Sequence, residues 1–151
     1  MIKIKRIIFV SCDNTCLGPL AESIFNQISV DYGVEAISRG VVVLFPEPLN
    51  TKMLQIMEQR GLTPTNSVSC QLTASDITED SMLLAMTDAD VEMVKDILPN
   101  VRIKKLREFV GQRGDIEAPH GKGIEDYEQC YEHIDLLTKM AAQVILKEDM
   151  K

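Results

Sequence analysis

Ile7-Ile8-Phe9-Val10-Ser11-Cys12-Asp13-Asn14-Thr15-Cys16-Leu17-Gly18-Pro19-Leu20-Ala21-Glu22-Ser23-Ile24-Phe25 is the stretch that decides the fold. Its first four residues form a short continuous apolar run, the pattern of a strand buried on both faces. Pro19 suits the start of a helix, where its missing N–H costs nothing. Leu20, Ala21, Ile24, Phe25 and Ile28 then fall on one helical face, and Gly33 can close the helix. The stretch reads as strand, loop, helix.

The same alternation continues outward. Ala36–Ser38 reads as a second strand, and Pro46 and Pro48 mark a loop. A helix is predicted from Thr51 to Arg60, with Leu54 and Met57 on one face and Gly61 as its stop. Ser81–Met86 and Val101–Leu106 read as strands on either side of a helix capped by Asp88 and ended by Pro99. Residues 110–123, with four glycines and Pro119, read as loop. Tyr127, Cys130, Tyr131, Ile134, Leu137, Ala141, Val144 and Ile145 keep helical spacing to the end of the chain. Strands that alternate with helices imply parallel βαβ units. The expectation is therefore α/β: a single open parallel sheet of about four strands with helices on both faces, in one domain spanning 1–151.

Composition narrows the partners. With 45% hydrophobic residues the chain can build a full core. A net charge of −7 argues against nucleic acid and anionic membrane as partners. No apolar stretch approaches a membrane span, and Ile7–Val10 is too short for a signal segment, which predicts a cytoplasmic protein. Cys12, Cys16, Cys70 and Cys130 show no zinc spacing, so no metal and no cofactor are expected.

In an open α/β sheet, ligands bind at the carboxyl ends of strands. The loop Ser11–Gly18 lies there and runs into a helix N-terminus, a natural anion site. The alternative is an ordinary connection, with turn chemistry supplied by Asp13, Asn14 and Gly18.

The stretch resembles the signature of low-molecular-weight protein tyrosine phosphatases, including the phosphoarginine phosphatase branch. Phe9-Val10, Asn14, Cys16, Pro19, Ala21 and Glu22 stand in that family's places. Ser38-Arg39-Gly40, Ser69–Leu72, Leu84–Thr87, Ala118–Gly121 and Glu125–Tyr127 continue the resemblance in order and at similar spacing. Thr15 matches the Thr of members acting on phosphoarginine. Asn14 and Ser38 match residues that brace the loop.

The residues that the resemblance assigns to the chemistry are substituted. Ser11 stands for the nucleophilic Cys, Leu17 for the phosphate-gripping Arg, Gly18 for the Ser/Thr after it, and Ala118 for the general acid. A Ser hydroxyl stays protonated without a base, and the only histidines, His120 and His133, lie far downstream. Asp115 and Glu117 are the near carboxylates that could stand in for the acid. Asp13 takes a Gly position. A carboxylate at roughly 5 Å from a phosphate dianion repels it by about 6–7 kcal/mol at an effective dielectric near 20. The main reading is a catalytically inactive phosphatase-like protein that works by binding or regulation, with an unknown protein partner. The alternatives are a hydrolase with an atypical active site, and a thiol redox sensor through Cys12 and Cys16.

Overall fold

The structure is a computed structural model and describes residues 3–149. Four strands, β1 (Arg6–Ser11), β2 (Glu35–Gly40), β3 (Ser81–Ala85) and β4 (Ile103–Lys105), form one sheet in the order β2-β1-β3-β4, and every pairing is parallel. The register pairs Ile8 with Ile37 on one side and with Leu83 on the other. The helices are α1 (Leu17–Ser29), α2 (Thr51–Gln59), α3 (Asp88–Ile97), α4 (Leu106–Phe109) and α5 (Ile124–Asp149).

β1 is central, and its apolar run serves two cores. Ile7 and Phe9 point into the larger core, built with α1, α2 and α5. Ile8 and Val10 point into the smaller one, built with Val94 of α3. Side chains alternate across a strand, so a strand covered on both faces must be apolar at every position. Here the continuous run has its physical cause. From β1 one crossover leads to β2 and the next returns past β1 to β3. The carboxyl ends of β1 and β3 thus lie where the strand order reverses, the usual place for a ligand crevice.

Several local expectations need correction. Thr87, not Asp88, caps α3: its hydroxyl accepts from Asp90 N at 3.1 Å. β4 is shorter than Val101–Leu106 because Leu106 turns inward as the first residue of α4, which the sequence reading did not foresee. On α2 the buried residues are Met53, Ile56 and Met57, with Leu54 only half-buried. On α5, Val144 is half exposed while Ala142 and Leu146 are buried, since 3.6-residue geometry rotates the stripe over a helix this long. Among the described residues no helix is long and apolar enough to cross a membrane.

Candidate functional site

The loop after β1 spans residues 12–16. Ser11 is the last strand residue, and Leu17 and Gly18 already belong to the first turn of α1, two residues before the start that Pro19 suggested. The first turn of a helix needs no donors, so Pro is tolerated at its third position as well as its first. Backbone bonds pin the loop: Val41 N to Ser11 O at 3.0 Å, Val42 N to Cys12 O at 3.0 Å and Asn50 N to Thr15 O at 2.8 Å.

Asn14 shapes the loop. Its φ of 60° is the only positive value at a non-glycine among the described residues. Asn tolerates this conformation better than most residues because its side chain can bond locally. Its Oδ1 accepts from Cys70 N at 2.9 Å. A side chain on Gly40 would collide with Val43 and press on Asn14, so glycine is required there. Ser38 is buried behind the loop; a Cβ added at Gly18 would lie 3.5 Å from its Cβ. Ser38 also bonds the buried Glu22, whose carboxyl is raised by burial against the lowering effect of Thr65, Ser38 and Arg39.

The electrostatics of the loop depart from an anion cradle. Asp13 Oδ1 accepts from Thr15 N at 3.2 Å and from Thr15 Oγ1 at 3.0 Å. Ser11 Oγ accepts from Asn14 N at 3.2 Å. Two loop amides that could face an anion are satisfied from within. Asp13 Oδ2 lies 3.8 Å from His120 Nε2, and the Asp13 side chain is 45% exposed. Water therefore screens it, and its repulsion toward a phosphate falls below the 6–7 kcal/mol order reached by an unscreened carboxylate.

A cavity of about 400 Å³ opens beside the loop. Ser11, Cys12, Asp13, Cys16 and Leu17 line one side. Met86, Thr87, Ala89, Asp90 and Met93, which follow β3, line the second, and Asp115–Ala118 with His120 line the third. Ile116 N bonds Met86 O at 2.9 Å and holds this third segment in place. A larger aliphatic groove of about 780 Å³, bordered by Ile28, Tyr32, Ala142 and Leu146, lies at the other end of α1, away from the strand carboxyl ends.

The positions that the resemblance assigns to the chemistry all border this cavity or its loop. Leu17 is buried in the larger core and presents an apolar wall to the cavity. Ser11 is 6% exposed and lines the cavity, but no group among the described residues accepts its proton. His133 is engaged with Arg107 at 2.9 Å. Ala118 borders the cavity and offers no proton. Asp115 is a poor replacement acid: the Asp88 backbone N–H at 3.0 Å and Lys105 at 3.2 Å hold its carboxyl below the usual range.

The thiols are free. Cys12 is exposed, with its pKa raised by partial burial and then by Asp90 and Asp13. Cys16 is buried, and burial chiefly pushes it up to about 12. Redox sensing needs accessible thiolate character, which neither site promotes.

Sequence reading passed over Asp90. Thr87-x-x-Asp90 immediately after a strand is a capping pattern that marks a helix start at the sheet's carboxyl edge. That signal would have placed Asp90 beside the loop.

Comparison with known proteins agrees with this geometry. The sequence profile described as "Low molecular weight phosphotyrosine protein phosphatase" matches residues 6–151. The chain is 35% identical over 130 residues to the low-molecular-weight protein-tyrosine-phosphatase PtpB of Staphylococcus haemolyticus, covering 85% of this chain and 91% of that one. The YwlE arginine phosphatase from Geobacillus stearothermophilus superposes with a TM-score of 0.88 at 28% identity, covering 96% of this chain and 95% of that one. A YwlE mutant with a phosphorylated active-site serine superposes at 0.85, also with 28% identity, covering 95% and 97%.

Proposed function

The chain belongs to the low-molecular-weight phosphotyrosine protein phosphatase family, and on that footing we propose that it keeps the family's loop as a binding surface and has given up phosphoryl transfer. One observation carries this reading. The Asp13 carboxylate holds the Thr15 amide and hydroxyl, so the loop already contains its own anion. A phosphate entering the loop would have to displace it, with no arginine to compensate, because Leu17 is packed into the core. The protein then acts on a protein partner, either directly or by competing with an active relative for shared partners. Its free thiols suit a reducing compartment. Hydrolysis of an aryl phosphate, phosphotyrosine and phosphoarginine by the purified chain tests the reading. The expected rate equals that of Ser11→Ala; turnover that depends on Ser11 would overturn it.

A second reading, a hydrolase with an atypical site, draws on the comparisons. The relatives are named as tyrosine and arginine phosphatases, and one mutant relative carries a phosphorylated active-site serine. Ser11 would then be the nucleophile. Against this stand the missing base at Ser11 and the acidic surroundings of the cavity.

A further inference from the structure

The outward side of α5 carries one stripe of exposed residues at three- and four-residue spacing, the spacing that keeps side chains on one helical face. Glu125 and Glu132 lie toward its start, Leu136 at its middle, and Lys139 and Lys147 toward its end, with Gln129 and Gln143 between. The order is acid, apolar, base. The helix macrodipole does not require it, because that effect fades within the first and last turn, and Glu132 and Lys139 lie inside both. Beside the stripe, the charged residues that border the aliphatic groove of about 780 Å³ are Lys139 and Lys147, with no carboxylate, on a chain of net charge −7. Leu136 is 55% exposed and Val144 51%. We infer that this face pairs with the same face of a second copy of the chain, the two α5 helices running antiparallel about a two-fold axis at Leu136.

A two-fold interface is self-complementary, so each residue meets the one equally far from the axis in the other copy. About Leu136, Glu125 meets the second copy's Lys147, Gln129 meets its Gln143, and Glu132 meets its Lys139 and Met140. Each of these contacts occurs twice, and Leu136 meets itself. Parallel pairing would set acid against acid and base against base, and an anionic surface would be repelled by Glu125 and Glu132. The two inner charges have in-chain partners and capacity to spare. Glu132 meets Arg60 through Oε1, which leaves Oε2, and Lys139 gives Asp135 one of its three donors. Exposed ion pairs add little affinity, so these contacts set orientation and register. Affinity comes from apolar surface: Leu136 on the axis, Met140 and Val144 beside it, and the groove floor of Ile28, Tyr32 and Leu146. At this register the second copy's Ile124, 39% exposed at the start of α5, comes to that floor.

Sedimentation equilibrium of the full chain from about 10 µM to 1 mM tests the pairing. The expected result is a reversible monomer–dimer equilibrium that Leu136→Glu weakens by about tenfold or more. Two further chains carry Glu125→Lys with Glu132→Lys, and Lys139→Glu with Lys147→Glu. All these positions are exposed, so each variant should keep the wild-type Tm. Each charge variant should self-associate less than the wild type, and an equimolar mixture of the two should associate at least as well as the wild type. Cysteine cross-linking under oxidised glutathione, read against the unsubstituted chain, fixes the register. Leu136→Cys should link to its own copy, whereas Gln129→Cys should link only when mixed with Gln143→Cys. A monomer at every concentration, a dimer indifferent to Leu136→Glu, or charge variants that stay apart when mixed would overturn the pairing. Ready self-linking of Gln129→Cys would overturn its antiparallel register.

Discussion

Restoring a thiol with Ser11→Cys should not restore an enzyme. Position 11 is 6% exposed, and its neighbour Cys12 already has its pKa raised by burial, Asp90 and Asp13. At the ordinary thiol pKa of about 8.5, about 3% of such a thiol is thiolate at pH 7, a roughly 30-fold loss against a fully ionised nucleophile. A missing donor to the transition-state anion typically costs about 10²–10³ in kcat, and a missing general acid about 10²–10⁴. Groups that act as a unit do not add, so the larger deficit sets the scale: the variant should fall at least about 10² below an active relative. The assay is p-nitrophenyl phosphate hydrolysis near neutral pH, run beside an active family member. Activity of Ser11→Cys within about tenfold of that enzyme would refute the roles given to Leu17 and Ala118. Ser11→Cys, Leu17→Arg, Gly18→Ser, Ala118→Asp and Asp13→Gly together are expected to recover part of the rate.

Three further outcomes probe the loop and its neighbours. Asn14 Nδ2 is buried without a hydrogen-bond partner among the described residues, and a Cβ at Gly18 would stand 3.3 Å from it and 3.2 Å from Ser11 Oγ. Gly18→Ser should therefore gain about 1 kcal/mol, a Tm rise of roughly 2–4 °C, while Gly18→Ala crowds the same spot without a hydroxyl and should not; equal Tm values would contradict the orphan-donor argument. Asn14→Ala should lose about 2–3 kcal/mol in denaturant unfolding, from left-handed strain plus the bond to Cys70 N, and a loss below about 0.5 kcal/mol would contradict it. Asp90 has its carboxyl raised, chiefly by burial, so its ionised form costs stability at neutral pH and that cost disappears below the unfolded value of about 3.9. Asp90→Asn should accordingly stabilise the chain at pH 7, with the gain fading on acidification below about pH 4; denaturant curves across that range check the sign, and a gain that grows toward acid would be wrong.

Much of the fold was readable because its signals are local. Ile7–Val10 needed only the rule that a doubly covered strand is apolar throughout, and α1 needed only its stripe from Leu20 to Phe25. Where the reading slipped, tertiary contacts decided. Leu106 left the strand pattern because the core accepts it as the start of α4, and Val144 falls outside the buried stripe because that stripe rotates along a helix as long as α5. The site was legible residue by residue but not as an arrangement in space. Ser11, Leu17 and Ala118 could be judged by residue type, whereas Asp13 bonding Thr15 depends on a side-chain rotamer. The convergence of Asp90 and Glu117 on the loop depends on β3 lying beside β1, a pairing that spans some seventy residues of chain.

The most direct test of lost phosphoryl transfer is a single-turnover experiment. The chain, in excess over a phosphoarginine or aryl phosphate substrate, is incubated, quenched and analysed by intact and peptide mass spectrometry for a phosphoryl group on Ser11. A half-reaction suffices to leave a mark, so slow hydrolysis of an intermediate cannot hide it. The account predicts an unmodified Ser11 and unconsumed substrate, because the Ser11 proton has no acceptor among the described residues and Leu17 offers no charge to the transferring group. Phosphoserine at position 11, formed in step with substrate loss and absent from Ser11→Ala, would contradict it.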